Sequence, residues 1–398
     1  MDIGSVAGWV FWGSAILLAY VYVGYPLVAA IRARFARRPR LRAPIEPFVS
    51  IVVIANNEED RIGARIENLL ALDYPAHRRE IVIASDGSTD ATVMRARLYE
   101  RRGVSVRSFA TRRGKSAVLN MVVPALRGDV VLFADARQRF DAGTLRALVE
   151  NFADPLVGAV SGELVLATSD RTATAGRGSA FYWRYEKFIR STEGRTDSTI
   201  GATGAIYAIR RTLFEPIPDD TILDDVLIPL RIVRRGYRVL FEPRARAYDA
   251  ASATAQHEFV RKARTIAGTF QLFSRELWLF NPRRNRLWLE TMSHKALRLA
   301  LPVLHATLLV ASAAVVFAST PTWFYQTAFA GQAMFYAAAI IGYAQGCAPR
   351  RSFVFTVPCA ICLLSWATVV GFVRFLTNRQ QVTWERVAAP GVSSTKAA

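Results

Sequence analysis

Polar side chains follow three apolar, strand-like segments of this chain. Asn57 and Glu58 come after the run VSIVVIA, Asp86 comes after EIVIA, and Asp135 comes after DVVLFA. In an open parallel sheet, ligands bind in a crevice beyond the carboxyl ends of the strands. We therefore expect these side chains to line one binding crevice, although residues 86–90 taken alone are also typical of a turn with a helix cap.

Strand-like and helix-like segments alternate in this part of the chain. In order, they cover residues 49–55, 60–72, 80–84, 89–102, 104–109, 115–126 and 129–134. The first strand-like run, VSIVVIA at residues 49–55, is a nearly continuous apolar stretch, as expected for a strand that is covered on both faces. This alternation predicts a doubly wound α/β domain with a mostly parallel sheet.

Both ends of the chain contain long segments without charged residues. These segments cover residues 3–31, 299–349 and 352–373. About 20 apolar residues are needed to cross a bilayer, and residues 319–322 mark a turn within the second segment. We therefore predict one N-terminal transmembrane helix and about three C-terminal ones.

The chain is basic, with a formal net charge of +19. It lacks helix-turn-helix, zinc-finger and RNA-binding signatures, so we expect no nucleic-acid partner. Anionic membrane lipid and a phosphate-bearing substrate explain the excess of arginine better. Six arginines between residues 32 and 42 directly follow the first apolar segment and predict that this side of it is cytoplasmic.

In these residues the sequence resembles glycosyltransferase family 2, which includes the membrane-bound processive synthases of cellulose, chitin and hyaluronan. The resemblance spans about residues 50–268. It rests on Asn57-Glu58, Asp86-Gly87-Ser88-Thr89-Asp90, Gly114-Lys115 with Asn120, Asp135, and Leu223-Asp224-Asp225 in place of Thr-Glu-Asp. Two motifs are altered: Arg137 stands where the family has a second metal-binding Asp, and the arginine-rich segment at residues 258–265 lacks the usual tryptophan.

The resemblance implies a GT-A-like nucleotide-sugar-binding domain that uses Mg²⁺ or Mn²⁺. It implies that Asp135 holds the metal and that Asn57, Glu58, Asp86 and Lys115, with Asp135, bind the nucleotide. Asp86 would accept hydrogen bonds from the base or the ribose. For Lys115, an exposed position at the start of a helix is an equally good interpretation.

The resemblance also assigns the groups that act on the acceptor and the leaving group. Asp225 matches the general base, with Asp224 as the neighbouring alternative, and one base with direct displacement implies inversion at the anomeric carbon. Arg261, Lys262 and Arg264 would form a phosphate or acceptor clamp. Two other interpretations stay open: the aspartates cap a helix that starts directly after them, or the basic residues face the membrane.

These features divide the chain into six segments. They are a transmembrane helix (1–31), a linker (32–48), a cytosolic transferase domain (49–268), an interfacial amphipathic segment (269–296), transmembrane helices (297–376) and a tail (377–398). We expect an integral protein of the plasma membrane, of the bacterial inner-membrane type, with its catalytic domain in the cytoplasm.

The expected function is inverting transfer of a hexose or N-acetylhexosamine from a UDP-sugar to a growing exopolysaccharide or cell-wall glycan. Single addition to a lipid-linked acceptor is the alternative enzyme. An inactive scaffold of a polysaccharide export complex is the alternative of another class. The expected partners are the UDP-sugar donor, the glycan or lipid-linked acceptor, membrane lipid and polysaccharide export proteins.

Overall fold

A computed structural model describes residues 3–167, 176–250, 255–318, 322–345 and 352–380. The chain divides into two compact units. The sheet unit contains residues 39–167 and 197–250, and the helical unit contains residues 3–38, 176–196 and the described residues between 258 and 379.

An eight-stranded sheet forms the centre of the sheet unit. Its strands are β1 (Val49–Ala55), β2 (Arg79–Asp86), β3 (Val104–Phe109), β4 (Val130–Asp135), β5 (Arg139–Phe140), β6 (Val157–Ala167), β7 (Ile206–Arg210) and β8 (Arg238–Ala250). They lie in the order β3-β2-β1-β4-β7-β6-β8-β5. The pairs β3-β2, β2-β1, β1-β4 and β6-β8 are parallel, whereas β7 is antiparallel to both of its neighbours and β5 to β8. The sheet is therefore mostly parallel, as the sequence predicts.

Helices cover the sheet and complete its core. They are Glu59–Leu70, Thr92–Arg97, Lys115–Val122, Thr144–Val149 and Asp224–Arg234. All seven residues of β1 are buried, which explains its unbroken aliphatic run. Ile51 and Val53 of this strand share one buried cluster with Ile62 and Ile66 of the first helix.

Two helices of the sheet unit are shorter than the sequence predicts. The helix expected over residues 89–102 covers only Thr92–Arg97, and a 3₁₀ turn, Glu100–Arg102, ends at Gly103 with a φ of 83°. The helix expected over 115–126 changes to a 3₁₀ turn at Val123–Ala125. Pro124 explains this change because proline cannot donate the backbone hydrogen bond of a continuing α-helix.

The described part of the helical unit consists mainly of helices. They are Ile3–Ala19, which continues through the π-helical turn Tyr20–Gly24 into Tyr25–Phe35, then Gly176–Thr196, Ala255–Arg275, Trp288–Glu290 continuing through Thr291–Ala296 into Leu297–Leu299, Leu301–Ala318, Trp323–Ala344 and Phe353–Leu376. The first three residues of Ala255–Arg275 belong to the other unit. Helix Gly176–Thr196 thus belongs to the helical unit, although the sequence analysis included its residues in the transferase domain.

The described residues contain fewer candidate spans than the four that the sequence suggests. Gly4–Phe35 and Phe353–Leu376 are long and apolar enough to cross a membrane, and Trp288–Leu299 with Leu301–Phe317 would add a third if this pair, bent by 61°, is one span. The helix Trp323–Ala344 is long enough, but its glutamines and tyrosines lower its mean hydropathy. The expected membrane helices at both ends of the chain are thus present as candidates, and the number of about three C-terminal spans stays a prediction.

Candidate active site

The polar residues that follow β1, β2 and β4 lie at one edge of the sheet. In the parallel register, Ala55 of β1 lies opposite Ser85 of β2, and Ile54 of β1 lies opposite Asp135 of β4. The carboxyl ends of parallel strands are where α/β sheets bind ligands. The sheet topology therefore brings Asn57, Asp86 and Asp135 to one rim.

Asp86 holds the loop that precedes Lys115. Its side chain is buried, and its Oδ1 and Oδ2 atoms accept hydrogen bonds from the backbone amides of Arg113 (2.6 Å) and Gly114 (2.9 Å). Gly87 has a φ of 63°, and a Cβ atom there would lie 2.4 Å from the amide nitrogen of Arg112. Only glycine fits so close to this loop. These bonds give Asp86 a structural role, and its contact with a nucleoside stays a prediction.

Asn57 and Glu58 connect the end of β1 to the loop after β2. Asn57 has a φ of 54°, and its Oδ1 atom accepts a hydrogen bond from the Thr89 amide (2.8 Å). The Glu58 amide donates to the Thr92 hydroxyl (2.8 Å). Asp90 accepts from the backbone amide of Thr92 (3.0 Å), the first residue of the following helix, whose N-cap residue is Ala91. The nucleotide-binding roles of Asn57 and Glu58 stay predictions.

The ammonium of Lys115 lies between two carboxylates from distant parts of the chain. Its Nζ atom is 3.5 Å from Oδ1 of Asp135 and 3.2 Å from Oδ2 of Asp224. Burial by itself would lower the pKa of Lys115, but the charges of Asp224 and Asp135 raise it above its ordinary value. The largely buried Lys115 is therefore a permanent cation at this rim.

The helix that begins at Lys115 also holds the segment that leads to Asp224. The Ser116 hydroxyl donates to the carbonyl of Thr221 (2.9 Å), and Asn120 exchanges two hydrogen bonds with the backbone of Ile217 (2.7 and 3.0 Å). These bonds bring the Leu223-Asp224-Asp225 motif beside Lys115.

Asp224 and Asp225 occupy the first turn of the helix Asp224–Arg234, which begins two residues earlier than the capping alternative required. The N-cap residue is Leu223, without a side-chain cap. Asp224 is buried, and the hydroxyl of Tyr207 lies 3.5 Å from its Oδ2 atom. Burial, and then the charge of Asp224, raises the pKa of Tyr207 well above its ordinary value. Asp224 therefore faces a cation and a phenol inside the sheet unit.

Asp225 is half-buried and lies against the loop at residues 201–204. A Cβ atom on Gly204 would lie 2.7 Å from Oδ2 of Asp225, and the Ala202 amide donates to the backbone carbonyl of Asp225 (2.7 Å). The same loop is bound to β6, where the Thr203 amide donates to the Ser161 hydroxyl (2.9 Å). The loop therefore fixes the position of the predicted base.

Arg137, which replaces the second metal-binding carboxylate of the family motif, forms an ion pair with Asp249. Its Nη2 atom lies 3.6 Å from Oδ2 of Asp249 on β8, and the side-chain Nε2 atom of Gln138 donates to the same oxygen (2.8 Å). Sequence spacing gave no signal for Asp249, which lies more than one hundred residues from its partners.

Arg65 was missed by the sequence analysis, because an arginine inside a helical pattern is typical of a solvated surface. It is only 2% exposed, and its Nη1 atom donates to the carbonyl of Gln138 (2.7 Å). Its guanidinium carbon is 4.0 Å from the centre of the Phe140 ring, while its Nε and Nη2 atoms are buried without a hydrogen-bond partner. Burial lowers the pKa of Arg65 to about 9, and the charge of Asp135 acts in the opposite direction. Arg65 thus supports the segment that follows Asp135.

The proposed clamp residues, Arg261, Lys262 and Arg264, lie on the helix Ala255–Arg275 of the helical unit. Arg261 forms an ion pair with Glu258 one turn earlier. Their role towards phosphate or acceptor stays a prediction.

The residues at the rim fit a divalent metal only if the substrate supplies some of its ligands. Among the described residues, no group of three or more His, Cys, Asp or Glu side chains could hold a metal. Asp135 offers one carboxylate, and its side chain is 35% exposed. Mg²⁺ typically binds one or two protein carboxylates together with substrate phosphates and water. The donor set therefore fits a metal that is shared with a bound diphosphate.

Comparison with known proteins identifies the central part of the chain. Residues 50–217 match the model of the family described as Glycosyl transferase family 2. The beta-monoglucosyldiacylglycerol synthase of Nostoc sp. is 34% identical over 167 residues, which cover 40% of this chain and 35% of that protein. The poly-beta-1,6-N-acetyl-D-glucosamine synthase of Staphylococcus aureus is 26% identical over 258 residues, which cover 62% of this chain and 61% of that protein. The chain thus spans between about a third and three fifths of these relatives.

A solved structure has the same fold over nearly the whole chain. The mannosyltransferase PcManGT from Pyrobaculum calidifontis, in complex with GDP-Man and Mn²⁺, matches with a TM-score of 0.70 and 22% identity. The match covers 95% of this chain and 100% of that one. The expected GT-A-like fold is therefore confirmed.

Proposed function

Because residues 50–217 are a family 2 glycosyltransferase domain, we propose that this chain is an inverting enzyme that transfers a hexose or N-acetylhexosamine from a UDP-sugar to a growing glycan. One observation carries the proposal. Asp225 lies against the loop at residue 204, while its neighbour Asp224 is paired with Lys115. Two adjacent carboxylates thus have different partners, as acceptor activation and donor binding require.

On the donor side, Lys115 and Asp135 would bind the diphosphate. Negative charge grows on this group as the glycosidic bond to the anomeric carbon breaks, and preorganised cations stabilise that charge. A divalent ion held by Asp135 and the phosphates would supply further positive charge. Lys115 is already held in position by two carboxylates, so it would need little rearrangement to contact a phosphate oxygen.

On the acceptor side, Asp225 would take the proton of the attacking hydroxyl. A general base must lie within hydrogen-bond reach of the proton that it removes. The half-buried carboxylate of Asp225 can reach a hydroxyl from the crevice, whereas Asp224 is buried against Lys115 and Tyr207. A single base with direct attack inverts the anomeric configuration.

The relatives support two acceptors. The staphylococcal relative is named for a glycan product, which favours a growing polysaccharide. The Nostoc relative is named for a glucosylated diacylglycerol, which favours a single addition to a lipid acceptor as the second candidate function.

The two candidate spans and the arginine-rich segment after the first support a membrane enzyme with a cytoplasmic sheet unit. Cysteine labelling tests this side. A cysteine introduced at the exposed position Arg97 should resist a membrane-impermeant reagent in intact cells and react after lysis. Labelling in intact cells would contradict the proposed cytoplasmic location of the sheet unit.

One experiment tests donor and product together. The purified chain in lipid should be incubated with a panel of radiolabelled UDP- and GDP-sugars, and the product should then be sized. We expect a UDP-sugar to be consumed and a polymer to form. A product with one added sugar would favour the lipid acceptor. Use of GDP-sugars alone would contradict the proposed UDP-sugar donor. Absence of turnover would contradict the proposed transferase activity.

A further inference from the structure

A second group of charged side chains lies in the helical unit and has no part in the proposed reaction. At its centre, Glu186 on helix Gly176–Thr196 contacts the side chains of Arg190 (3.3 Å), His294 (3.0 Å) and Arg298 (2.9 Å). The other ring nitrogen of His294 lies 2.8 Å from Glu193. Burial by itself would raise the pKa of Glu186, but the charges of His294 and Arg298 hold it well below its usual range. Glu186 is therefore ionised.

Positive charge exceeds negative charge in this cluster. Lys295 lies within electrostatic range of Glu186, Arg190 and Arg298, and its ammonium has no hydrogen-bond or ion-pair partner in the described part of the chain. Leaving His294 aside, the basic groups of Arg190, Lys295 and Arg298 face the carboxylates of Glu186 and Glu193, and burial lowers the pKa of Lys295. Like charges gathered in this way repel one another, so an additional anion would stabilise them.

The charges of the cluster are arranged in two layers. The side chains of Glu186 and Glu193 are only 6% and 1% exposed, whereas those of Arg190 and Arg298 are 17% and 21% exposed. Lys295 is also partly exposed. The carboxylates thus lie behind the cations, and the accessible surface of the cluster is cationic.

The cluster lies beside the ends of candidate membrane helices. Tyr25, within the span Gly4–Phe35, donates a hydrogen bond to Glu193, and Arg32 at the end of this span pairs with Glu290. Lys295 precedes the apolar helix Leu301–Ala318 by six residues. The exposed aromatic residues Phe280 and Trp288 lie shortly before Lys295 in the chain. Exposed aromatic side chains are typical of the layer of lipid headgroups.

We propose that Arg190, Lys295 and Arg298 form a binding site for the phosphate of an anionic lipid headgroup. Basic pockets between membrane helices on the cytoplasmic side commonly bind phosphate-bearing headgroups. Glu186 fixes both guanidinium groups from behind, and the phosphate would then balance the excess charge. The binding site does not depend on the proposed sugar transfer.

Native mass spectrometry of the full chain, delipidated in detergent and titrated with phosphatidylglycerol, tests the proposal. We expect the wild type to bind one such lipid in preference to phosphatidylcholine. Lys295→Gln should lower the affinity for phosphatidylglycerol about tenfold, as expected for one charge-assisted hydrogen bond. Lys295→Arg keeps the charge and should retain most of the affinity.

Arg284→Gln is the matched control. It removes one exposed cation from a nearby position of the chain, and Arg284 is not a member of the cluster. It should leave the affinity unchanged. Equal losses in Lys295→Gln and Arg284→Gln would overturn the proposal in favour of a general basic surface. Displacement of the lipid by an equal concentration of inorganic phosphate would overturn the lipid as the ligand. Thermal unfolding without lipid checks that each variant is folded.

Discussion

Oδ2 of Asp224 lies 3.2 Å from the ammonium of Lys115, and this ion pair gives Asp224 different surroundings from its neighbour Asp225. Consecutive residues of a helix do not face the same direction. Asp224 therefore points to the buried cation, while Asp225 lies against the loop at Gly204. These different surroundings are the reason why we propose Asp225, and not Asp224, as the general base.

Asp225→Asn should lower turnover by about 10²- to 10⁴-fold, the range expected when a general base is lost. Donor binding should survive, because the amide keeps the size of the carboxylate and the donor contacts lie elsewhere. Asp224→Asn is the comparison and should cost clearly less turnover. Turnover and calorimetric donor affinity should be measured for both. An inactive Asp224→Asn beside an active Asp225→Asn would show that the base is assigned to the wrong residue.

Gly204→Ala should lower turnover without weakening donor binding. The new Cβ atom would lie 2.7 Å from Oδ2 of Asp225, so the carboxylate must move. Gly143→Ala is the matched control, because a Cβ atom at Gly143 meets nothing within 4 Å. If both variants retain full turnover, the position of Asp225 is not critical.

Lys115→Gln should weaken UDP binding at least tenfold, the approximate effect of losing one charged hydrogen bond. Its melting temperature should also fall, because the buried Asp224 loses its cation. Calorimetry and thermal unfolding measure the two effects. Arg139→Gln, which removes an exposed cation from β5, should change neither. Unchanged UDP affinity in Lys115→Gln would exclude Lys115 from the donor site.

Asp135→Asn should remove the part of UDP affinity that depends on Mg²⁺ or Mn²⁺. Calorimetric titrations with and without EDTA measure this part. Asp129→Asn is the control, because Asp129 is exposed and lies at the opposite end of the same strand. Undiminished metal-dependent affinity in Asp135→Asn would count against Asp135 as the metal ligand.

Arg65→Met should raise the donor KM about tenfold and change kcat less. The reason is the lost hydrogen bond to Gln138, which supports the segment after Asp135. Arg65→Lys keeps the charge and should recover part of the affinity. If Arg65→Met lowers the melting temperature but leaves KM unchanged, Arg65 serves only the stability of the fold.

The sequence alone predicted the parallel strands β1 to β4 and the edge of the sheet at which the polar residues after β1, β2 and β4 lie. A continuous aliphatic run such as β1 is typical of a strand that is covered on both faces of a parallel sheet, and the polar residues after such strands lie at one rim. Apolar segments without charge also predicted candidate membrane helices at both ends of the chain. Among the described residues, their count depends on whether the pair bent by 61° near residue 300 is one span.

Only the tertiary structure decided which charges meet. Lys115 pairs with Asp224, more than one hundred residues later, and Arg137 pairs with Asp249, because sheet order and loop contacts bring these segments together. The buried position of Arg65 has the same origin. Local periodicity determines which residues form strands and helices. The partner of a buried charge depends on long-range packing, which local patterns do not encode.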